Sequence, residues 1–536
     1  MASYTATVKG TQKLYGFYGN GNGATYTITV TNGTGVMKKY DVIRRPIRGG
    51  IPNVVQTGYS GTAVTYTENA RFDFELEIWA DVTTAGTFTA TVTDTTNGDN
   101  VAMMTWALDS SGNPLGAVSP KDGSVIPFTA QTVTRLVATR GEVNLLQSQA
   151  NTTNKLRLTG RSQHKIGGRS VSSIGASWTN WFLDTSRVEN SIANAVTLRA
   201  HIEIPGAPTP VVVVKFSGAS SGSMPSGSVD FPCDLLDASA FGLTVIPAEQ
   251  VFFVVTEMTV ALNEYAPASV APQEAGEAAT YGDGTATQIG TAGALTNQSG
   301  GAVTTAMPMP SAIIGKFSSP YPSVILFGDS IVFGAKDGGP TAVGGGGGVL
   351  GGGIFARACW NSAIPYARQA RTGTQAIQAA VNYTKQSGLW KYASHFICNL
   401  GTNDLNAGQT AATTQTNLRI LWAAAKAAGV QRVEQALIMS RTTSTDAWVT
   451  VANQTPITGF ETGGTKKDAL NTLLVANVGA NGLDAVLDLS PQWRDTVAAD
   501  KINASYVDDG THPLPIAAQR VSLDASTRFN NWQSKD

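Results

Sequence analysis

The chain has 536 residues, enough for three or four domains at roughly 150 residues each. Lys+Arg 37 against Asp+Glu 38 leaves a formal charge of −1, so no net field draws the protein to nucleic acid or to an anionic membrane. Only 14% of residues are charged, below the roughly 25% usual in soluble domains, while 57 glycines and a 42% hydrophobic content point to turn-rich, well-cored domains rather than disorder.

The opening residues, MASYTATVKG, lack the basic and apolar regions of a secretory signal. No apolar run along the chain approaches the ~20 residues that cross a bilayer. Residues 1–135 read as strands. In 24–31, Ala24, Tyr26, Ile28 and Val30 fall on one face and four threonines on the other. In 71–79, Phe72, Phe74, Leu76 and Ile78 oppose Asp73, Glu75 and Glu77, and 87–93 alternates around Phe88, Ala90 and Val92. Period-two alternation marks a sheet buried on one face. Turn signals at 19–23, 32–35 and 95–100 punctuate these runs and predict a small antiparallel sandwich.

Residues 136–155 are polar and unpatterned and read as a linker, with a short helix over 137–155 as the alternative. A second β segment over 156–316 carries strands at 196–204, 211–216 and 251–260, and a Gly/Ala/Thr/Pro-rich stretch at 266–310 predicts long loops over a second sandwich. Cys233, Cys359 and Cys398 are odd in number and form no CxxC pair, which argues against a disulfide framework and a thiolate zinc site.

From Tyr321 the pattern changes to apolar strands (323–327, 363–367, 395–400, 433–439, 485–489) alternating with helices. One helix carries Leu418, Leu421, Trp422 and Ala425 at i, i+3, i+4, i+7, with Gly429 placed after its end, and another carries Leu470, Leu473 and Leu474. Such alternation predicts a parallel sheet covered by helices on both faces, with its site beyond the carboxyl ends of the strands.

Strand one ends in Gly328-Asp329-Ser330, where a serine after a tight bend exposes its hydroxyl at the sheet edge. Taken alone, this tripeptide reads first as a helix cap. Strand three ends in Gly401-Thr402-Asn403-Asp404, placing an amide donor at the same edge or forming a local turn. Asp509 and His512 stand three apart near the end of the chain, a spacing that lets a carboxylate hold an imidazole tautomer. The other three histidines (His164, His201, His395) read as packed or surface residues, and Asp329, Asp404 and Asp508 as caps or turns.

Together, GDS at 328–330, GxND at 401–404 and DxxH at 509–512 resemble the SGNH (GDSL-type) serine hydrolase family over residues 320–536. The resemblance implies a flavodoxin-like three-layer α/β domain after the two antiparallel β-sandwiches, the second of them jelly-roll-like. It implies Ser330 as nucleophile, His512 as general base and then acid, and Asp509 as the orienting carboxylate. The oxyanion hole would take the Ser330 amide, the Asn403 side chain and Gly373, which follows strand two. Ile331 replaces the usual leucine after GDS, and the asparagine often found shortly before the second-block glycine is missing. Positions 344–353 hold eight glycines without the residues of a phosphate or dinucleotide loop, and read as a lid or an inert surface loop.

The expected activity is ester hydrolysis through an acyl-enzyme, with no cofactor and no metal. Residues 156–316 are similar to the β module preceding the catalytic domain of some SGNH carbohydrate esterases, so the expected substrate is an O-acetylated polysaccharide. The Thr/Gly-rich first domain resembles parts of phage virions. The expected location is therefore virion or extracellular, with the cytoplasm as alternative, and the expected partners are other virion proteins or further copies of the chain, with no nucleic acid and no membrane. The rival reading is a structural or adhesive virion protein (capsid decoration, tail or fibre) whose SGNH domain binds glycan with little turnover. A cytosolic acyl-thioesterase is a third reading, disfavoured by the β domains.

Overall fold

The computed structural model describes residues 133–319, 321–337 and 352–533, and before them 2–6, 10–18, 24–46, 53–68, 74–84, 86–94, 105–108, 114–118 and 125–127. The chain divides into two compact units, Met1–Thr129 and Ala130–Asp536.

In the first unit two four-stranded antiparallel sheets share one core. Strand Ala24–Asn32 buries Tyr26, Ile28 and Val30 as its alternation predicts, and the neighbouring strand Gly86–Asp94 adds Phe88 and Val92. The facing sheet contributes Met37, Tyr40 and Val42 from Val36–Pro46, and Ile78, Ala80 and Val82 from Phe74–Thr84. The Tyr40 hydroxyl crosses the core to donate to the Ile28 carbonyl at 3.0 Å, so its burial leaves no unpaired hydroxyl. The turns at 19–23 and 95–100, and the start of the 71–79 strand, lie outside the described residues.

The second unit begins with two antiparallel sheets. One is built around Arg157–Lys165, Val196–Glu203 and Val251–Thr259, the other around Val171–Trp178 and Ala312–Phe317. Leu158, Leu198, Ile202, Val254 and Met258 of the first meet Ile174, Trp178 and Ile313 of the second. The second sheet is buried on its other face too, where Ala312 and Ile314 join the core of the helical layer. This explains why Ala312, Ile313 and Ile314 are apolar on both faces of the strand.

The α/β layer is a parallel sheet with strands β1 (Val324–Gly328), β2 (Tyr366–Ala370), β3 (His395–Cys398), β4 (Arg432–Ala436) and β5 (Ala485–Leu487), in the order 2-1-3-4-5. Successive residues of β1 serve opposite layers. Val324 and Leu326 pack toward helices Ile354–Asn361 and Pro515–Gln533, whereas Ile325 and Phe327 pack toward Ala376–Ala379, Ala411–Ala427 and Lys467–Ala476. Helix Ala411–Ala427 starts where Thr410 Oγ1 accepts the Thr413 amide at 3.1 Å and buries the predicted stripe Leu418, Leu421, Trp422 and Ala425. The doubly wound order places the carboxyl ends of β1 and its neighbours around one crevice. No described helix is long and apolar enough to cross a membrane.

Residues 136–155 differ from the expected linker. Arg135–Leu136 pairs with Ala312–Phe317, Gly141–Glu142 adds a sixth parallel strand beside β2, and Leu146–Gln149 pairs with Tyr265–Ala268. Its polar character, which suggested exposure, comes from buried partners. Arg140 pairs with Glu277 at 3.0 Å and Glu142 with Arg368 at 2.8 Å, all four at most 2% exposed at the side chain. Backbone and side-chain pairing thus weld the segment into both neighbours, and the apolar core runs without a break from the two sheets into the α/β layer. The long loop between the strands at 278–282 and 301–302 is held similarly. Glu257 accepts the Gln288 amide at 2.7 Å, Glu203 the Gly293 amide at 3.1 Å, and His201 Nδ1 the Gly290 amide at 3.0 Å.

Burial lowers His164 and His201 to about 4 and His395 to about 3, from 6.5. As pH falls below about 6.5 the unfolded chain takes up protons that these folded-state imidazoles refuse, so stability is full above that pH and is lost down through about 4. Asp524, pushed up to about 6 by burial, works in the opposite sense and is outweighed by three histidines. The urea midpoint of the second unit's transition should therefore fall steadily between pH 7 and pH 4.5, and a constant midpoint would contradict this assignment.

Candidate active site

β1 ends at Gly328 and passes directly into the four-residue helix Ser330–Phe333, whose N-cap is Asp329. Asp329 Oδ1 accepts the Ile331 amide at 2.9 Å. The Asn399 side chain, one residue past β3, grips Asp329 twice: its Oδ1 accepts the Asp329 amide at 3.1 Å and its Nδ2 donates to Asp329 Oδ1 at 2.8 Å. Ser330 is thereby fixed at the first helical position, its hydroxyl turned to the crevice.

The loop at 509–512 comes to meet it. Asp509 Oδ1 accepts the amides of Thr511 at 3.0 Å and His512 at 2.9 Å, while Oδ2 lies 2.7 Å from His512 Nδ1. With Nδ1–H donating to the carboxylate, Nε2 is the acceptor, and it stands 2.8 Å from Ser330 Oγ. The result is an unbroken hydroxyl–imidazole–carboxylate chain assembled across 182 residues of sequence. Burial alone would raise the Asp509 carboxyl. The hydrogen bonds from the His512 ring and amide, with the imidazole charge and the Thr511 amide, outweigh it and hold the group well below the usual carboxylate range. Asp329, fully buried, is shifted the other way by desolvation. Arg441, which burial pushes down, faces both carboxylates, and its charge favours their ionised forms.

Asn403 lies in helix Thr402–Asn406. Its Nδ2 is 3.3 Å from Asp329 Oδ2 and 3.2 Å from the Thr374 carbonyl, which sets the amide between the nucleophile turn and the turn after β2. The next residue, Asp404, accepts the Ala376 and Ile377 amides at 2.7 and 3.1 Å and so caps the helix leaving that second turn. Gly373 occupies the turn itself, which is closed by the Thr374 amide to the Arg371 carbonyl at 3.3 Å. Among the described residues neither the Ser330 nor the Gly373 amide donates to another protein group.

The structure therefore gathers Ser330, Asn403, Asp509 and His512, with Gly373 joined to them through Thr374. Asp329 and Asp404 cap helices as read from sequence, and Asp508 pairs with Lys336 at 3.2 Å. Histidines 164, 201 and 395 are buried elsewhere. Asn399 and Arg441 were missed. Asn399 did leave a signal, as a lone amide in the apolar run HFICNL, whereas nothing local distinguishes Arg441. Among the described residues no group of three His, Cys, Asp or Glu side chains is placed to hold a metal ion. Of 344–353, expected as lid or surface loop, only Gly352 and Gly353 fall within the described residues.

Such a chain can draw the proton from a serine hydroxyl as it attacks a carbonyl, with nearby N–H donors meeting the developing negative oxygen.

No family model and no curated protein matches the chain. Among solved structures, GDSL-type proteins and carbohydrate esterases are similar to part of it. A protein assigned to the G-D-S-L lipolytic family from Desulfitobacterium hafniense DCB-2 has 14% identity over 39% of this chain and 99% of its own, with TM-score 0.29. A carbohydrate esterase family 3 protein from Talaromyces cellulolyticus has 16% identity over 40% and 100%, with TM-score 0.26. A carbohydrate esterase family 2 enzyme with a carbohydrate-binding domain, from Corynascus thermopiles (Myceliophthora fergusii), has 14% identity over 74% and 99%, with TM-score 0.29.

Gly510 holds the bend between Asp509 and His512 at φ 73°, and a Cβ there would stand 1.8 Å from the Thr442 carbonyl oxygen. Gly510→Ala should thus destabilise the protein by about 1–3 kcal/mol and displace the imidazole. Thermal unfolding measures the first effect and the His512 ring NMR shifts the second; unchanged values for both would contradict the geometry.

Proposed function

We propose that the second unit is a serine ester hydrolase, and the observation that carries this is the 2.8 Å and 2.7 Å chain Ser330–His512–Asp509. The reaction balances on these groups alone. Ser330 Oγ attacks the ester carbonyl as His512 Nε2 takes its proton, and the tetrahedral oxygen turns to the donors. His512 then returns the proton to the departing alkoxide, leaving an acyl-serine and a free alcohol. Water, deprotonated by His512, attacks the acyl-serine, and His512 returns that proton to Ser330 Oγ as the acid departs. Asp509 stays ionised throughout and stabilises the imidazolium. The Ser330 and Gly373 amides, neither donating within the described protein, and the Asn403 amide beside them form the oxyanion hole in this reading.

We read the α/β layer as the flavodoxin-like domain of the SGNH hydrolases and residues 156–316 as its β-sandwich accessory module. Because that module is welded to the catalytic layer, the substrate we assign is a polymer held across both, an O-acetylated surface polysaccharide losing acetate. The separate unit Met1–Thr129 is assigned to attachment in a phage virion, a setting that the low charge and Thr/Gly-rich strands suit; its co-sedimentation with particles tests that assignment. The adhesive alternative, glycan binding with little turnover, is less well supported by a complete relay at hydrogen-bonding distance.

Ser330→Ala should lower p-nitrophenyl acetate hydrolysis by at least about 10³-fold, and Asn403→Ala should lower kcat by about 10²–10³-fold. Acetate release from a panel of O-acetylated polysaccharides, with Ser330→Ala as control, tests the substrate class. Hydrolysis that survives Ser330→Ala overturns the enzyme reading. Ser330-dependent hydrolysis of the model ester with no acetate released from any polysaccharide overturns the substrate alone.

A further inference from the structure

The turn at 371–374 is gripped from outside the α/β layer. The strands Trp181–Leu183 and Glu189–Ser191 of the β module form a hairpin whose tip carries Arg187. Arg187 Nε and Nη2 both donate to one acceptor, the Thr372 carbonyl oxygen, at 3.1 and 2.9 Å. The tip is rigid: Asp184 Oδ1 accepts the amides of Ser186 and Val188 at 2.8 and 2.9 Å, and the Arg187 amide donates to the Asp184 carbonyl at 3.0 Å. The hairpin is also anchored on both sides of the tip. Arg371 Nη1 donates to the Leu183 carbonyl at 2.6 Å, and the Glu189 carboxylate accepts the Lys385 and Gln386 amides at 2.8 and 2.9 Å.

The consequence follows from peptide geometry. The Thr372 carbonyl and the Gly373 N–H belong to one planar trans peptide and point in opposite directions. Gly373 has φ 75° and Thr372 is not among the residues with positive φ, so the turn is type II. Type I and type II turns differ by a flip of this central peptide. In type I the carbonyl would turn toward the crevice and the N–H away from it. Holding the carbonyl from the far side selects the orientation that offers the Gly373 N–H to the crevice. The guanidinium charge on the carbonyl also polarises the peptide, which strengthens its N–H as a donor. Glycine at 373 is favoured by its positive φ, and a Cβ there would crowd Arg187 Nη2, displacing the guanidinium from the Thr372 carbonyl.

We infer that Arg187 is a positioning residue that presets the oxyanion hole from the β module, so that residues 156–316 complete the active site rather than only presenting substrate to it. This rests on the reading of Ser330 as nucleophile and Gly373 as a donor. In the full chain, Arg187→Ala should lower kcat for p-nitrophenyl acetate by about 10- to 100-fold, with KM within about threefold, because the donor acts on the transition state. Added guanidinium at millimolar concentration should restore part of that kcat in Arg187→Ala and none in Ser330→Ala. Arg187→Lys, which keeps the charge and a donor, should fall between wild type and Arg187→Ala. A folded Arg187→Ala protein with wild-type kcat overturns the inference, as does a loss that guanidinium does not restore and that tracks a lowered melting temperature. Should Arg187→Ala not fold, Arg187→Lys decides, and an undiminished kcat there overturns it. Hydrolysis surviving Ser330→Ala instead removes the esterase reading beneath it.

Discussion

Arg368 is a full positive charge placed inside the second unit at 2% exposure, and much of the architecture around the site is arranged to make that tolerable. Its Nε and Nη2 meet the two oxygens of Glu142, while Nη1 donates to the Phe333 carbonyl at 2.8 Å and the Gly352 carbonyl at 3.0 Å. Removing one partner of such a buried pair costs about 3–5 kcal/mol, because the remaining charge has nowhere to go. The segment before the β module, strand β2 and the end of the Ser330 helix are therefore held to one arrangement. The nucleophile turn is clamped at its start by Asn399 on Asp329 and at its end by Arg368 on Phe333.

Buried pairing recurs elsewhere in the second unit. Other ionisable groups are also buried in pairs, Arg140 with Glu277 and Arg161 with Glu203, while the buried carboxylates Asp337 and Glu434 meet partly exposed Arg357 and Arg528. Arg161–Glu203 ties strands of one sheet, and Arg357–Asp337 and Glu434–Arg528 tie elements within the α/β layer. The two β sheets are joined to the α/β layer elsewhere, through Glu142 with Arg368 and through Arg371 on the Leu145 and Leu183 carbonyls. The hairpin that reaches the 371–374 turn can act on it because its base cannot move independently.

The site depends on the same rigidity. Ser330, Asn403 and the Asp509–His512 pair arrive from two strand ends and one late loop, and the parallel order 2-1-3-4-5 brings those ends together. Capping does the fine placement. Asp329 sets Ser330, Asp404 sets the helix after Gly373, and the Asp509 carboxylate sets both the amide and the ring of His512. Asp329 and Asp404, which sequence reading treats as caps or turns, thus support the reacting groups beside Asp509, which it reads as the orienting carboxylate.

Periodicity and motif order were legible from the sequence because each depends on neighbours close along the chain, whereas the second strand runs over Tyr366–Ala370 rather than 363–367 and the fourth over Arg432–Ala436 rather than 433–439. Tyr26, Ile28 and Val30 alternate wherever the strand lies, Leu418, Leu421, Trp422 and Ala425 form a stripe on any helix, and Asp509 reaches His512 within one turn. The boundary at 136–155 was misread because polar composition signals exposure only when partners are absent, and Glu142 finds its partner 226 residues away. Likewise, nothing near Arg187 indicates that it closes on the Thr372 carbonyl, 185 residues later. Local dihedral and hydropathy preferences by themselves determined the elements and the candidate reacting groups. Which buried charges meet, and which way the Thr372–Gly373 peptide faces, was decided only by tertiary packing, because pairing at such separations is fixed by the fold's geometry and leaves no periodic trace.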